Sequence, residues 1–398
     1  MLKIQNLKKI SGDRQLWVYT ILLMLFSFWA VYSASSNLAN IYGKITPLSF
    51  VVKHFIHVSM GLLIIFLTYK SKPNLFSLMS NVAMPIMVLL LLYTLTRGVT
   101  MGGANASRWI HIPMFGSLQP STIAFFMLMM FAARFFGKND FTKMTFSAQF
   151  RRFWIWVFAI VALILPANLS TAALLFAMII MIAIIAGYPF KELSKVFAIG
   201  LFGLLLTILI FKAFPNKLSN RIDTWQSRIE SYFETKKQGD EIRLDDDHYQ
   251  SVQAKIAIAK GGLFGFRPGK SVQKNFLPQS VSDFIYAIII EEYSLSGGLI
   301  LLLVYLLLGL RIFIISKKAQ NNYEKLLVLA VGFPLIFQAL INMAVAVGLI
   351  PVTGQPLPLV SSGGTAIWMT CFAIGVILSI SRINEEREKH DLEEFVTE

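Results

Sequence analysis

Residues 276–292 read FLPQSVSDFIYAIIIEE and run directly into YSLSGG at 293–298. The apolar stretch 283–293 is too short to cross a bilayer, which takes about 20 apolar residues in a helix. Ser294, Ser296, Gly297 and Gly298 then interrupt it. The pattern predicts a short helix that dips into one leaflet, with the true span following. Irregular backbone at membrane depth is tolerated only where protein buries it or where it lines a wet cavity. Three carboxylates, Asp283, Glu291 and Glu292, therefore sit next to such a cavity, and acidic groups beside hydrocarbon are functional candidates.

The rest of the chain fits a membrane bundle. Of 398 residues, 56% are hydrophobic and 15% charged, with a mean hydropathy of +0.63. A soluble chain carries about 25% charged residues. The expected fold is an all-α polytopic membrane protein with ten spans. These lie near 16–35, 50–69, 77–97, 118–136, 153–167, 169–188, 194–214, 297–316, 324–348 and 363–382. The apolar run 153–188 is divided at Pro166-Ala-Asn168, because Pro and Asn break or turn helices. A large loop, 215–282, separates the seventh and eighth spans.

Lys and Arg fall on alternate loops. Lys8, Lys9, Arg14, Lys70, Lys72, Lys138, Arg151, Arg152, Lys191, Lys317, Lys318 and Arg387 share one side. By the positive-inside rule that side is cytoplasmic. The N-terminal segment 1–15 and the tail 383–398 then lie inside, while 98–117, 215–282 and 349–362 lie outside. The first apolar run is too long for a signal-peptide core and is taken as a retained span. The net charge of +14 is accounted for by this asymmetry rather than by nucleic-acid binding. The lone Cys371 excludes a disulfide within the chain and a cysteine-based metal site. His54 and His57, at i and i+3, lack evident further ligands, so no protein metal site is assigned.

Within the large loop, 249–265 has the pattern of an amphipathic helix ended by Gly261-Gly262. Residues 220–233 also show helical spacing, and 235–248 are polar. Asp283 is either an acid–base group or a helix cap, a task Ser280 and Ser282 could also perform. Glu291 and Glu292 either pair with basic groups and polar backbone or act directly. Arg108-Trp109 suits phosphate recognition or an interfacial anchor. Arg267, Lys270 and Lys274 in GFRPGKSVQKNF (265–276) are either a phosphate-binding loop or solvated charge.

In combination these segments resemble the SEDS family (shape, elongation, division and sporulation), which includes FtsW and RodA, and the likeness makes 1–398 a single membrane domain of that type. GGANASRWIHIP resembles the family's Gly-Ala-x-Arg-Trp loop, and Leu118-Gln119-Pro120-Ser121 its Phe-Gln-Pro-Ser motif. Tyr249-Gln250, Gln253, Gly261-Gly262-Leu263-Phe264-Gly265, SVQKNFLPQSVSDFIYAIIIEE and PVTGQPLPLVSSGGTA (351–366) follow in family order. Ser271-Val272-Gln273-Lys274 before Leu277-Pro278 is closest to the FtsW branch, with the RodA branch second.

The resemblance implies a peptidoglycan glycosyltransferase that polymerises lipid II, with Asp283 as general base. It implies substrate contacts from Arg108, Trp109, Gln250, Arg267, Lys274 and Ser361, and support from Ser282, Glu291 and Glu292. It further implies an optional divalent cation (Mg or Mn), a class B penicillin-binding protein and other division membrane proteins as partners, no nucleic acid, and a bacterial cytoplasmic membrane location at the septum. An elongation polymerase and a lipid II flippase are the alternatives. The sequence departs from the family at Thr122 and Phe125, where Glu and Lys are usual. It departs again at Asn168, usually acidic, at Gln279, usually Glu, and at Ser362, usually Tyr.

Overall fold

The computed structural model describes residues 11–35, 46–99, 108–112, 116–213, 246–277 and 280–397. Its helices are α1 (Arg14–Ser35), α2 (Pro47–Lys70), α3 (Pro73–Arg97) and α4 (Pro120–Lys138). Next come α5 (Phe146–Ile164), α6 (Leu169–Ile185), α7 (Phe190–Ala213) and α8 (Asp246–Gly261). Finally there are α9 (Ile285–Lys318), α10 (Asn322–Ala346) and α11 (Gly364–Thr397). Each of the ten expected spans coincides with one of these helices, and α8 is the amphipathic helix expected in the large loop. One antiparallel ribbon, β1 (Ile110–Ile112) with β2 (Gly116–Leu118), interrupts the all-α pattern. It pairs Ile110 with Leu118 and so ties the chain ahead of α4 to the start of that helix. Residues 220–233 and Gln279 lie outside the described residues.

One boundary differs from expectation, and the start of the sixth span falls where the sequence put it. The fifth span is longer than 153–167, because α5 starts at Phe146 and carries a wide π turn over Phe150–Trp154. Arg151 and Arg152 thus ride on a helix rather than in a loop. The sixth span starts where Asn168 caps it: its side chain accepts the Thr171 N–H at 3.1 Å, as an N-cap Asn does.

Helices α4, α10 and α11 form the interior of the bundle. Leu128, Met129, Leu327, Val331, Ile374 and Ile377 are fully enclosed there. Peripheral helices present Leu89, Phe202 and Leu310 outward, as a bundle surrounded by lipid does. At one end, Arg387 holds the buried Glu324 by two bonds of 2.7 and 3.1 Å, Arg311 pairs with Asp13, and Ser379 binds the Ser71 carbonyl. The segment before α1 also meets α11 at this end, where the Ser11 hydroxyl and the Gly12 N–H donate to Glu385. The segments carrying the sequence motifs meet at the other.

Helix α9 is two helices joined across a kink. Ser294 has φ 69° and ψ 175°, which ends the short helix Ile285–Tyr293 and starts the long one. A broken helix exposes orphan carbonyls and N–H groups that must find partners. The segment after α8 supplies them. Phe266 and Arg267 donate their N–H groups to the carbonyls of Glu291 and Glu292 at 2.9 and 3.1 Å, and Leu295 donates to Gly262 at 2.9 Å. The Ser294 hydroxyl accepts the Ser296 N–H at 3.2 Å. Backbone can approach the break this closely only at glycine. A Cβ on Gly265, whose φ is +67°, would lie 2.6 Å from the Glu292 carbonyl oxygen. A Cβ on Gly261 would collide with the Ile290 carbonyl.

Candidate functional site

Asp283 lies in the turn before α9, half-buried. It is one residue short of the capping position, which Phe284 occupies without a side-chain cap bond. The short helix therefore starts at Ile285, not at Asp283, and the acid stands on a turn rather than on a helix face. Three neighbours hold that turn. The Ser361 hydroxyl donates to the Ser282 carbonyl at 2.6 Å, the Ser362 N–H donates to the Val281 carbonyl at 2.9 Å, and the Asn342 amide donates to the Asp283 carbonyl at 2.8 Å. The Asp283 carboxylate faces Gly354, 3.6 Å from where a Cβ would stand. Gly354 has φ +66°, a left-handed conformation that favours glycine.

Gly354 also lines a cavity of about 40 Å³ between α4, α6, α10 and α11. One water needs roughly 10–15 Å³ of such space, so the cavity admits a small water cluster. Its polar walls are neutral: Gln119, Thr122, Asn168, Thr171, Gln338 and Gln355. Thr122 and Asn168, two of the departures noted in the sequence, face this space, and Phe125 closes it from a fully buried position. Loss of a carboxylate and its cationic partner together leaves no buried unpaired charge.

Glu291 and Glu292 do a different job. Glu291 is fully buried and accepts the Ser271 hydroxyl, the Val272 N–H at 3.0 Å and the Gln273 N–H at 3.2 Å. Glu292, 4% exposed, accepts the Ser271 N–H at 3.1 Å and the Ser33 hydroxyl. A buried carboxylate is tolerable when charge-assisted donors surround it. The pair thus binds the backbone of 271–273 and the end of α1, and places Lys274 just beyond. Lys274 is half-buried, with its ammonium on the Gly269 carbonyl at 2.8 Å. Burial pulls its pKa below the usual lysine range, while Glu292 and Glu291 push it back up.

The remaining candidates are spread around this end. Arg108 donates through Nε to the Ala167 carbonyl at 2.7 Å, which fixes its loop at the α5–α6 corner. Trp109 bridges to Val99, accepting its N–H at 2.8 Å. The Arg267 side chain is exposed, and its backbone, at φ 75°, serves the break in α9. Gln250 is half-buried on α8, which packs along α9. Ser361 also lines the cavity. It is 3% exposed, and its hydroxyl both donates to Ser282 and accepts the Leu357 N–H at 2.8 Å. Those bonds brace the turn that carries Asp283.

Two further residues are central: Asn342, which no motif marked, and Gln355, which lies inside the 351–366 motif. Asn342 is fully buried on α10, and its amide donates to both the Asp283 and the Gln355 carbonyls at 2.8 Å. Gln355 in turn donates to the Thr171 hydroxyl at 2.8 Å. The available signal was an Asn inside the apolar stretch ALINMAVAV (339–347), since a polar side chain in a span is costly to keep. Among the described residues, the one cluster of three metal-type side chains is His390, Asp391 and Glu394, exposed on the last turns of α11 at the opposite end.

The cell cycle protein family FtsW/RodA/SpoVE matches the chain over residues 13–386. Stage V sporulation protein E of Bacillus subtilis is 29% identical over 377 residues, covering 94% of this chain and 98% of that protein. The probable peptidoglycan glycosyltransferase FtsW of Enterococcus hirae is 31% identical over 366 residues, covering 90% and 89%. Among solved structures, the rod shape determining protein RodA of Thermus thermophilus superposes with a TM-score of 0.64 at 21% identity, covering 94% of this chain and 98% of that one. A chain from a peptidoglycan synthase complex superposes with a TM-score of 0.68 at 23% identity, with the same coverage.

Proposed function

Because the chain belongs to the FtsW/RodA/SpoVE family of cell cycle proteins, we propose that it is a peptidoglycan glycosyltransferase polymerising lipid II at the outer face of a bacterial cytoplasmic membrane. One feature carries this best: a single half-buried carboxylate, Asp283, over Gly354 at the edge of a neutral polar cavity, ringed by the motif-bearing segments. A transporter would need polar groups lining both halves of the membrane. Here the motif residues gather at one end of the bundle.

The chemistry follows from the groups present. The 4-hydroxyl of the acceptor sugar attacks the anomeric carbon of the donor. Its proton passes to Asp283, a carboxylate suited to act as base. The bond from the anomeric carbon to the lipid diphosphate breaks, the electron pair leaves with the diphosphate, and one displacement inverts the centre. Cations must answer the departing charge, and Lys274, Arg108 and Arg267 are the candidates on this face. A Mg²⁺ ion is commonly held by one or two carboxylates together with substrate phosphates. One carboxylate with neutral oxygens around it fits a cation that arrives with the diphosphate, which it would help to neutralise.

Gln250 and Trp109 are assigned to the substrate surface, and Glu291, Glu292 and Ser282 to its support. Within the family we assign the chain to the division branch, acting at the septum beside a class B penicillin-binding protein, with both termini cytoplasmic. Similarity to FtsW proteins supports this, and an elongation role is the competing assignment. The deciding experiment incubates the purified protein, with its partner transpeptidase, with lipid II. Glycan polymer is expected, and none from Asp283→Asn. Equal polymer from a well-folded Asp283→Asn protein overturns the base assignment. Lipid II translocation without polymer would instead indicate a flippase. Imaging a tagged copy separates septum from side wall.

A further inference from the structure

We propose that Asn342 is a positioning residue for Asp283, an inference that rests on Asp283 being the base. One side-chain amide nitrogen, fully buried, donates to the Asp283 carbonyl and to the Gln355 carbonyl, both at 2.8 Å. It thereby joins the turn that bears the acid to the loop that bears Gly354, and Gly354 is what the carboxylate faces. Neither segment is held in this region by regular secondary structure: residues 281–284 are turns, and 351–357 are irregular chain. Ser361 and Ser362 hold the base of the turn at Ser282 and Val281, and Asn342 is the donor that reaches the Asp283 carbonyl.

The clamp extends beyond the pair. Gln355 donates to the Thr171 hydroxyl, the Thr171 N–H donates to Asn168, and the neighbouring Ala167 carbonyl accepts Arg108 Nε. A continuous neutral chain thus runs from the base to one of the candidate cations. Its members are Asn342, Gln355, Thr171 and Asn168, so it carries direction without adding charge beside Asp283. Misplacing a reacting group by about 1 Å can cost about 100-fold in rate, so the clamp acts on the chemical step. Substrate affinity is set elsewhere on the face.

The test compares Asn342→Ala, Asn342→Ser and Asp283→Asn in the full-length protein with its partner, each purified as a monodisperse species, with lipid II as substrate. Asn342→Ala is expected to lower kcat about 100-fold while KM stays within about twofold. Asn342→Ser, with one hydroxyl donor for two carbonyls, is expected to fall between. Unchanged kcat per folded molecule in both Asn342 variants, with only a lower Tm, overturns the inference. So does a raised KM with kcat intact. If Asp283→Asn itself is active, the base assignment fails. If Asp283→Asn is dead and the Asn342 variants are fully active, this inference alone fails.

Discussion

Gly265 and Glu292 touch backbone to backbone: a side chain on Gly265 would stand 2.6 Å from the Glu292 carbonyl oxygen and 2.7 Å from the Ser294 nitrogen. That contact lets the loop after α8 close the break in α9. Gly265→Ala combines a left-handed φ with a backbone collision, and is expected to destabilise the protein by about 3 kcal/mol or more. Gly262, also at positive φ but with no atom closer than 3.9 Å to a would-be Cβ, is expected to tolerate Ala at roughly 1 kcal/mol. Thermal unfolding in detergent distinguishes the two; equal Tm losses would refute the steric account.

Glu291 accepts from three donors and has none to spare. Glu291→Gln can keep its one oxygen on the N–H groups of Val272 and Gln273 but turns an NH₂ toward the Ser271 hydroxyl, and loss of the charge-assisted bonds is expected to cost about 1–3 kcal/mol. Because its role is to hold 271–273, polymerisation should fall in proportion to stability and recover at lower temperature. Asp283→Asn should leave Tm nearly unchanged and abolish activity at every temperature. Activity against temperature for the two variants provides the check.

Lys274 gives a pH signature. Its pKa lies below the usual lysine range because of burial, so its charge is lost at a lower pH than for a free lysine. If that charge answers the leaving diphosphate, the alkaline limb of the rate profile follows it. Lys274→Arg stays charged to about pH 12 or beyond, and its alkaline limb should move upward. Stability runs the other way. The unfolded chain holds this proton more tightly, so the lysine's penalty is relieved as pH rises through the window. A rate profile that does not shift in Lys274→Arg removes Lys274 from the chemistry.

Arg387 and Glu324 form a control at the far end of the bundle. Arg387→Ala leaves a buried carboxylate without its two bonds of 2.7 and 3.1 Å. A fully buried pair would lose about 3–5 kcal/mol. Arg387 is about one-third exposed, and solvent reduces the expected loss to roughly 1–3 kcal/mol. The Tm should drop while polymerisation per folded molecule at low temperature is unchanged. Lost activity there would mean that the two ends are coupled.

The primary sequence determined the spans, because hydrocarbon thickness imposes a run length that composition reveals, and it determined the interruption at Ser294, because Ser and Gly in an apolar run cannot continue it unaided. It also marked Asp283, an acid beside hydrocarbon. It did not separate the three carboxylates by role. That required knowing which donors surround each one, and the donors come from 271–273 and from Ser33, far away in the chain. It marked Ser361 through its motif, but not that this hydroxyl at the cavity wall would bond the Ser282 carbonyl. It left Asn342 among apolar neighbours without a role, because a clamp exists only when two loops are brought to one amide. Hydrophobic length is a local property of a chain; the partner of a buried polar group is decided only by packing.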